Sequence, residues 1–170
     1  MRQTLESKKS AWLTVTVEFE LRRARESDRD PLFALHRVTM RDVIARTWGW
    51  DEAWQRAHFD ARFDPTRVSI VTSAGRDAGV LWLESRPGEI YIAEIQIIPE
   101  MQGRGLGSAV LGGVIAAAAA RGACVTLQVL EINEGARRLY ERLGFYVTGN
   151  TDRHVQMRHD AGGAAKAPGP

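Results

Sequence analysis

The chain has 170 residues, one cysteine and a net charge of +2, with basic and acidic residues interspersed. That length favours one domain with a single core, the charge pattern excludes a nucleic-acid stripe or a membrane-binding face, and lone Cys124 cannot form an intrachain disulfide. Lys8-Lys9-Ser10 leads into alternating rather than continuous apolar residues, and the Ala-rich stretch after Leu106 is too short and glycine-broken for a membrane span, so a cytoplasmic protein is expected.

In chain order, residues 1–14 read as a loose segment before a domain spanning 15–160. Val15, Val17, Phe19 and Leu21 alternate with polar residues and predict a first half-buried strand. Ser27 or Asp28 can cap a helix with Pro31 in its first turn, and Leu32, Phe33, His36, Met40 and Ile44 then recur at helical spacing. Gly49 interrupts it, and Asp51 starts a second helix, which Pro65 closes. Residues 68–73, 78–84 and 89–98 predict three strands joined by turns at Gly75-Arg76-Asp77 and Pro87-Gly88, an antiparallel meander. A helix over 105–121, a strand from Cys124, a helix from about Glu134 and two closing strands, 145–148 and 154–158, complete the pattern. Residues 161–170, rich in Gly, Ala and Pro, are expected to be disordered. The order implies a mixed α/β sheet flanked by helices.

The apolar run Ile95, Ile97 and Ile98 passes through Pro99 into Gln102-Gly103-Arg104-Gly105-Leu106-Gly107 and a helix. Glycines let a ligand approach the backbone, and the unpaired N–H groups of a helix start suit an anion such as a pyrophosphate. A dinucleotide fingerprint is excluded because Ser108 or Val110 stands where its third glycine belongs, and no nucleotide-triphosphate loop is present. What remains is Q-x-x-G-x-G after a strand. Downstream, Val125-Thr126-Leu127-Gln128-Val129 reads as a strand, followed by Asn133, Ala136, Tyr140, Gly144 and Phe145 in an N-x-x-A-x-x-x-Y-x-x-x-G-F pattern. The two motifs, in this order and separation, resemble those of the GNAT superfamily of acyl-CoA-dependent N-acyltransferases over about residues 90–147.

The resemblance implies a mostly antiparallel α+β sheet in which the strands near 89–98 and from Cys124 splay apart to admit acyl-CoA. Acetyl-CoA is the expected cosubstrate, with no metal. Backbone groups of Ile97 and Ile98 would pair with pantetheine, and the amides of Gln102, Gly103, Arg104, Gly105, Leu106, Gly107 and Ser108 would bind pyrophosphate. The Arg104 side chain either adds charge there or is a solvated turn residue. Asn133 can bond the pantetheine arm, cap the following helix, or do both. Arg137 and Arg138 are better read as solvated.

Direct transfer from a thioester to an amine passes through a tetrahedral intermediate that expels CoA thiolate. Tyr140, in its motif position, is the candidate donor of the proton to that leaving group; ordinary helix packing is the alternative. A protonated amine must also lose a proton before attack, and Glu94 is a lone carboxylate in an apolar strand, three residues before Ile97. Glu94 can serve as base, orient the ammonium group or face solvent. His36, His58 and Glu84 are weaker substitutes, and relatives place their glutamate at offsets that here hold Tyr91 or Ala93.

For the acceptor, three of the five tryptophans fall within residues 48–54. Trp54 is expected to pack in the core. Trp48 and Trp50 flank a turn glycine, so at least one should line a concave site, with Gln55, Asp51 or Glu94 as polar partners for a cationic or aromatic amine. The expected protein is an N-acetyltransferase acting on a small amine. A protein N-terminal or lysine acetyltransferase and a non-catalytic acyl-CoA-binding module are the alternatives. Cys124 reads as a buried structural thiol, and a homodimer is common among the resembled family.

Overall fold

Seven strands form one sheet in the order β1-β2-β3-β4-β5-β7-β6 in the computed structural model, which describes residues 17–160. The expected loose segment before residue 15 and the tail 161–170 lie outside the described residues. The strands are β1 (Glu20–Arg23), β2 (Val68–Ser73), β3 (Arg76–Arg86), β4 (Glu89–Ile97), β5 (Cys124–Leu130), β6 (Tyr146–Thr151) and β7 (His154–His159). The helices are α1 (Arg29–Trp48), α2 (Glu52–Arg62), α3 (Leu106–Ala119) and α4 (Glu134–Arg142). Every neighbouring pair is antiparallel except β4 and β5, which the α3 crossover makes parallel.

The sheet separates two apolar clusters. On one face, Leu32 and Phe33 of α1 and Phe59 of α2 pack on Val68, Ile70, Val80 and Trp82. On the other, Leu106, Val110, Leu111 and Val114 of α3 and Tyr140 of α4 cover Leu81, Ile92, Leu127 and Met157.

Several local expectations shift. The first hairpin turns at Ala74 and Gly75, both at positive φ (50° and 72°), rather than at Gly75-Arg76-Asp77. Two positive-φ residues match the twist of a two-residue hairpin, so β3 starts at Arg76. Asp28 does not cap α1 with its side chain. Its carboxylate accepts the Arg25 backbone N–H at 2.8 Å and accepts from Arg22 Nη1 and Nη2, each at 2.9 Å. Arg22 also bonds Asp77 at 2.6 Å, tying β1 to the entry of α1 and the start of β3.

This fork has a measurable consequence. The Arg22 hydrogen bond holds the Asp28 carboxyl below its usual range. A depressed carboxyl contributes stability above its unfolded pKa and loses it as pH falls through the folded value. Arg22→Ala should lower unfolding stability in urea by about 1–2 kcal/mol at neutral pH, solvent screening having trimmed the gain. The difference from wild type should narrow in acid; a difference that is constant with pH would assign the loss to packing.

A bulge in β4 positions the chemistry. Trp82 of β3 faces Glu94 while the next residue, Leu83, faces Ile92, which leaves Ala93 as the extra residue. Ile90 and Ile92 before the bulge, and Ile95 and Ile97 after it, pack on the α3 face. Strict alternation would put Glu94 among them. The extra residue resets the phase, so Glu94 shares the α1 face with Trp82 and Gln96 with Val80.

Candidate active site

β4 and β5 pair only from Glu89–Cys124 to Ile92–Leu127. Past that point β5 continues against β7 as far as Leu130, while β4 continues against β3 as far as Ile97. The sheet therefore opens between residues 93–97 and 128–130. Backbone groups of an antiparallel strand face its partner at alternate residues. Ile98 N–H bonds Ala78 O at 2.9 Å, so the N–H groups of Ile97 and Ile95 turn the other way, into the opening. Ile98 is removed from the expected pantetheine pairing, because its carbonyl is also occupied, by Met101 N–H at 3.0 Å.

At the end of the opening, Gln102 Nε2 donates to Ile97 O at 2.8 Å and fixes the chain as it leaves β4. Gly103 (φ 70°) and Gly105 (φ 84°) then take left-handed conformations that favour glycine. Gly105 is the N-cap of α3, whose first turn holds no acidic residue. Among the described residues, the backbone N–H groups of 103–108 have no acceptor. These donors at a helix start form a cradle for an anion, and the residues present fit a pyrophosphate. Arg104 is exposed beside it. Arg137 and Arg138 are instead paired along α4 with Glu141 (2.9 Å) and Glu134 (3.0 Å).

A cavity of about 810 Å3 runs from this opening to the α1–α2 side. Tyr140, Asn133 and Ala136 line it from α4 and its cap, Glu94 and Gln96 from β4, and His36, Trp48, Trp54 and Gln55 from α1 and α2. Asn133 caps α4, its Oδ1 accepting Ala136 N–H at 3.3 Å, so its amide nitrogen stays available to the cavity. Tyr140 is 8% exposed and packs against Phe145 at 5.8 Å between ring centroids. Its hydroxyl has no hydrogen-bond partner among the described residues, and burial pushes its pKa up to about 12.

The cavity wall carries a polar cluster. His36 Nδ1 lies 3.3 Å from Glu94 Oε1, and its Nε2 lies 3.2 Å from Gln55 Oε1. Gln96 Nε2 donates to Glu94 Oε1 and lies 3.2 Å from His36 Nδ1. Burial of the His36 ring opposes its charged form, but the hydrogen bond and negative charge of Glu94, aided by Gln55, outweigh it, and the pKa rises above the ordinary histidine value. His58 moves the other way, through burial and the nearby Arg62 and His36 cations.

The acceptor-side expectations divide. Trp48 lines the cavity, 53% exposed, 5.7 Å from the His154 ring. Trp54 is no core residue: it is 56% exposed, stacked on His58 at 4.7 Å, and it lines the cavity. Trp50 is absent from the lining; its indole donates to Glu52 at 2.8 Å and its ring rests 6.0 Å from that of His36. Helical spacing misplaced Trp54 because α2 buries its opposite side, with Gln55 and Phe59. Gln96 was missed altogether. Its signal was a lone amide inside an isoleucine run, now 4% exposed. Glu84 pairs with Arg86 at 3.0 Å.

The model of the acetyltransferase (GNAT) family matches residues 29–145, from the start of α1 through α4 to Phe145. The chain belongs to that family. It is an acetyl-CoA-dependent acetyltransferase that acts on an amine. A search of curated proteins gives no match. Among solved structures, the PaiA N-acetyltransferase of Thermoplasma acidophilum, in complex with coenzyme A, superposes with a TM-score of 0.70 at 14% identity, over 85% of this chain and 99% of that one. The ribosomal-protein-S18-alanine N-acetyltransferase of Escherichia coli gives 0.64 at 20% identity, over 88% and 97%. Ard1 of Thermoplasma volcanium gives 0.62 at 19% identity, over 84% and 97%. At such identities the structures establish the fold of this acetyltransferase and the family match its class. Among the described residues no helix is long and apolar enough to cross a membrane, and no group of three or more His, Cys, Asp or Glu could hold a metal ion.

Proposed function

We propose that this acetyltransferase acetylates a small primary amine, with Glu94 accepting the amine's proton and Tyr140 supplying one to the departing thiolate. The observation that carries this reading is the single cavity lined by both residues, whose 810 Å3 falls within the usual range for small-molecule sites. Acetyl-CoA supplies the thioester. The chain's own groups hold it: Ile95 and Ile97 offer backbone donors in the opening, Asn133 an amide, and residues 103–108 the anion cradle.

The amine side is built from Trp48 and Trp54, whose faces attract a cation, and from Glu94, the carboxylate at the wall. An amine with a pKa near ~10 arrives protonated at neutral pH and becomes a nucleophile only after losing that proton. Tyr140, kept protonated by burial across the working range, is suited to give a proton rather than take one. Gln55 spends its carbonyl oxygen on His36 and presents its amide nitrogen to the cavity.

Free-thiol release from acetyl-CoA should be followed across a panel of small primary amines and of peptides with free N-termini or lysines. Turnover of small amines with kcat/KM well above the peptides is expected. Preference for peptides would replace the acceptor class, thiol release independent of any acceptor would make the chain a hydrolase, and acetyl-CoA binding with no thiol release would make it a binding module.

The cradle has its own test. Gly105 is the sensitive position, because any side chain there is strained at φ 84° and a Cβ would meet Val17 Cγ2 at 3.4 Å. A Cβ on Gly107 points inward to Leu139 and Ile97 at 3.7 and 3.9 Å, so alanine fits there without entering the cradle. Gly105→Ala should weaken CoA binding in calorimetry by about tenfold, the equivalent of ~1.4 kcal/mol, with Gly107→Ala close to wild type. Equal affinities in two folded variants would move the pyrophosphate elsewhere.

A further inference from the structure

The polar cluster behind Glu94 has more hydrogen-bonding capacity than a carboxylate base needs. Gln55 Oε1 is an acceptor only, so the His36 Nε2 facing it at 3.2 Å must carry the hydrogen. Neutral His36 is thereby held as the Nε2–H tautomer, and its basic nitrogen is Nδ1. That nitrogen is the one beside Glu94, at 3.3 Å, and it is also the one to which Gln96 Nε2 donates at 3.2 Å. Gln96 meanwhile keeps its own Oε1 buried without a partner. A buried orphan acceptor costs about 1–3 kcal/mol, set here against the two contacts the same amide makes through Nε2.

We propose that His36 and Glu94 form a proton relay, in which Gln55 is the positioning residue that fixes the His36 tautomer and Gln96 is the amide that bridges Glu94 and the neutral His36 Nδ1. The relay rests on Glu94 being the group that meets the amine. The ammonium N–H bond breaks as an O–H bond forms on Glu94; that O–H then breaks as an N–H forms on His36 Nδ1, leaving a carboxylate beside an imidazolium. The imidazolium returns its proton through Glu94 to solvent when the cavity empties. Once Nδ1 carries a hydrogen it no longer accepts from Gln96. Gln96 Nε2 then keeps its bond to Glu94 alone, while the new Nδ1–H faces Glu94 Oε1 at 3.3 Å.

The groups facing the His36 ring set where the relay titrates. Glu94 approaches from β4 and favours the charged ring, while Arg62 of α2 disfavours it, as does His58 when charged. Asp51, Tyr140 and His154 line the same cavity farther round. Trp50, Phe33 and Phe59 fill the rest of the ring's surroundings with aromatic faces at 6.0–6.3 Å.

The test is the pH profile of kcat with a good small amine, joined to 15N chemical shifts of the His36 ring in the full chain. Gln55→Glu keeps the acceptor on Nε2 and adds a negative charge, so the rising limb of kcat should move up by about one pH unit. Gln55→Leu should convert a single His36 tautomer into a mixture and lower kcat several-fold with little change in KM. A Gln55→Glu limb left in place, in an enzyme whose Glu94→Gln variant loses the limb, would overturn the relay and leave Glu94 as sole base. Loss of neither limb would instead overturn the base assignment itself.

Discussion

Tyr140→Phe should turn over on the order of 10²-fold more slowly while binding CoA with unchanged affinity, the loss typical of removing one general acid. The substitution removes one oxygen and keeps the ring that packs on Phe145, just before β6. The hydroxyl has no partner among the described residues, so its removal strands no buried group and the fold should hold. The expected signature is a fall in kcat and kcat/KM together. Single-turnover rates with a fast acceptor, beside calorimetric CoA affinities, decide the matter. A wild-type rate in the variant would make Tyr140 a packing residue and hand the leaving group's proton to water.

Glu94→Gln should cost about 10²–10³-fold in kcat near neutrality and progressively less as pH approaches the acceptor's own pKa. Glutamine retains the shape and can still meet His36 and Gln96, but it cannot take a proton. At high pH the amine arrives neutral and needs no base. The rising limb of the wild-type profile should lie above the ordinary histidine value, because Glu94 holds the His36 proton to higher pH and the site accepts another only once that proton has left. A parallel offset at every pH would make Glu94 a residue that positions the ammonium group.

Much of this arrangement was legible in the residues. The glycine turn, Asn133 and Tyr140 sit at fixed offsets within continuous segments, so local sequence order already implies their geometry. Asp51 capped α2 as its side-chain chemistry dictates, with Trp54 N–H at 2.9 Å. The cluster of His36, Gln55, Glu94 and Gln96 was not legible in the same way. Its members come from three elements, up to 60 residues apart in the chain, and meet only because the sheet packs α1 and α2 on one face. Trp54 lines the cavity and Trp50 does not for a related reason. Neighbouring aromatic residues are told apart by the crossing of two helices, which no local period records. Ile98 failed on backbone alternation, which depends on where β3 begins.

The extra residue at Ala93 also bears on how this strand can be compared with others. Lining up this strand by Ile90 and Ile92 with one that lacks the extra residue, without allowing one gap, matches Glu94 to a side chain on the opposite face. An acid that appears displaced or missing in such an alignment can be in the same place in space. Flattening the bulge without shortening the chain would have the same effect in the molecule itself: the strand would keep its composition and its strand character, yet its carboxylate would be delivered into the oily layer beneath α3. The capacity for catalysis is thus written in a count, odd or even, as much as in the identity of any amino acid.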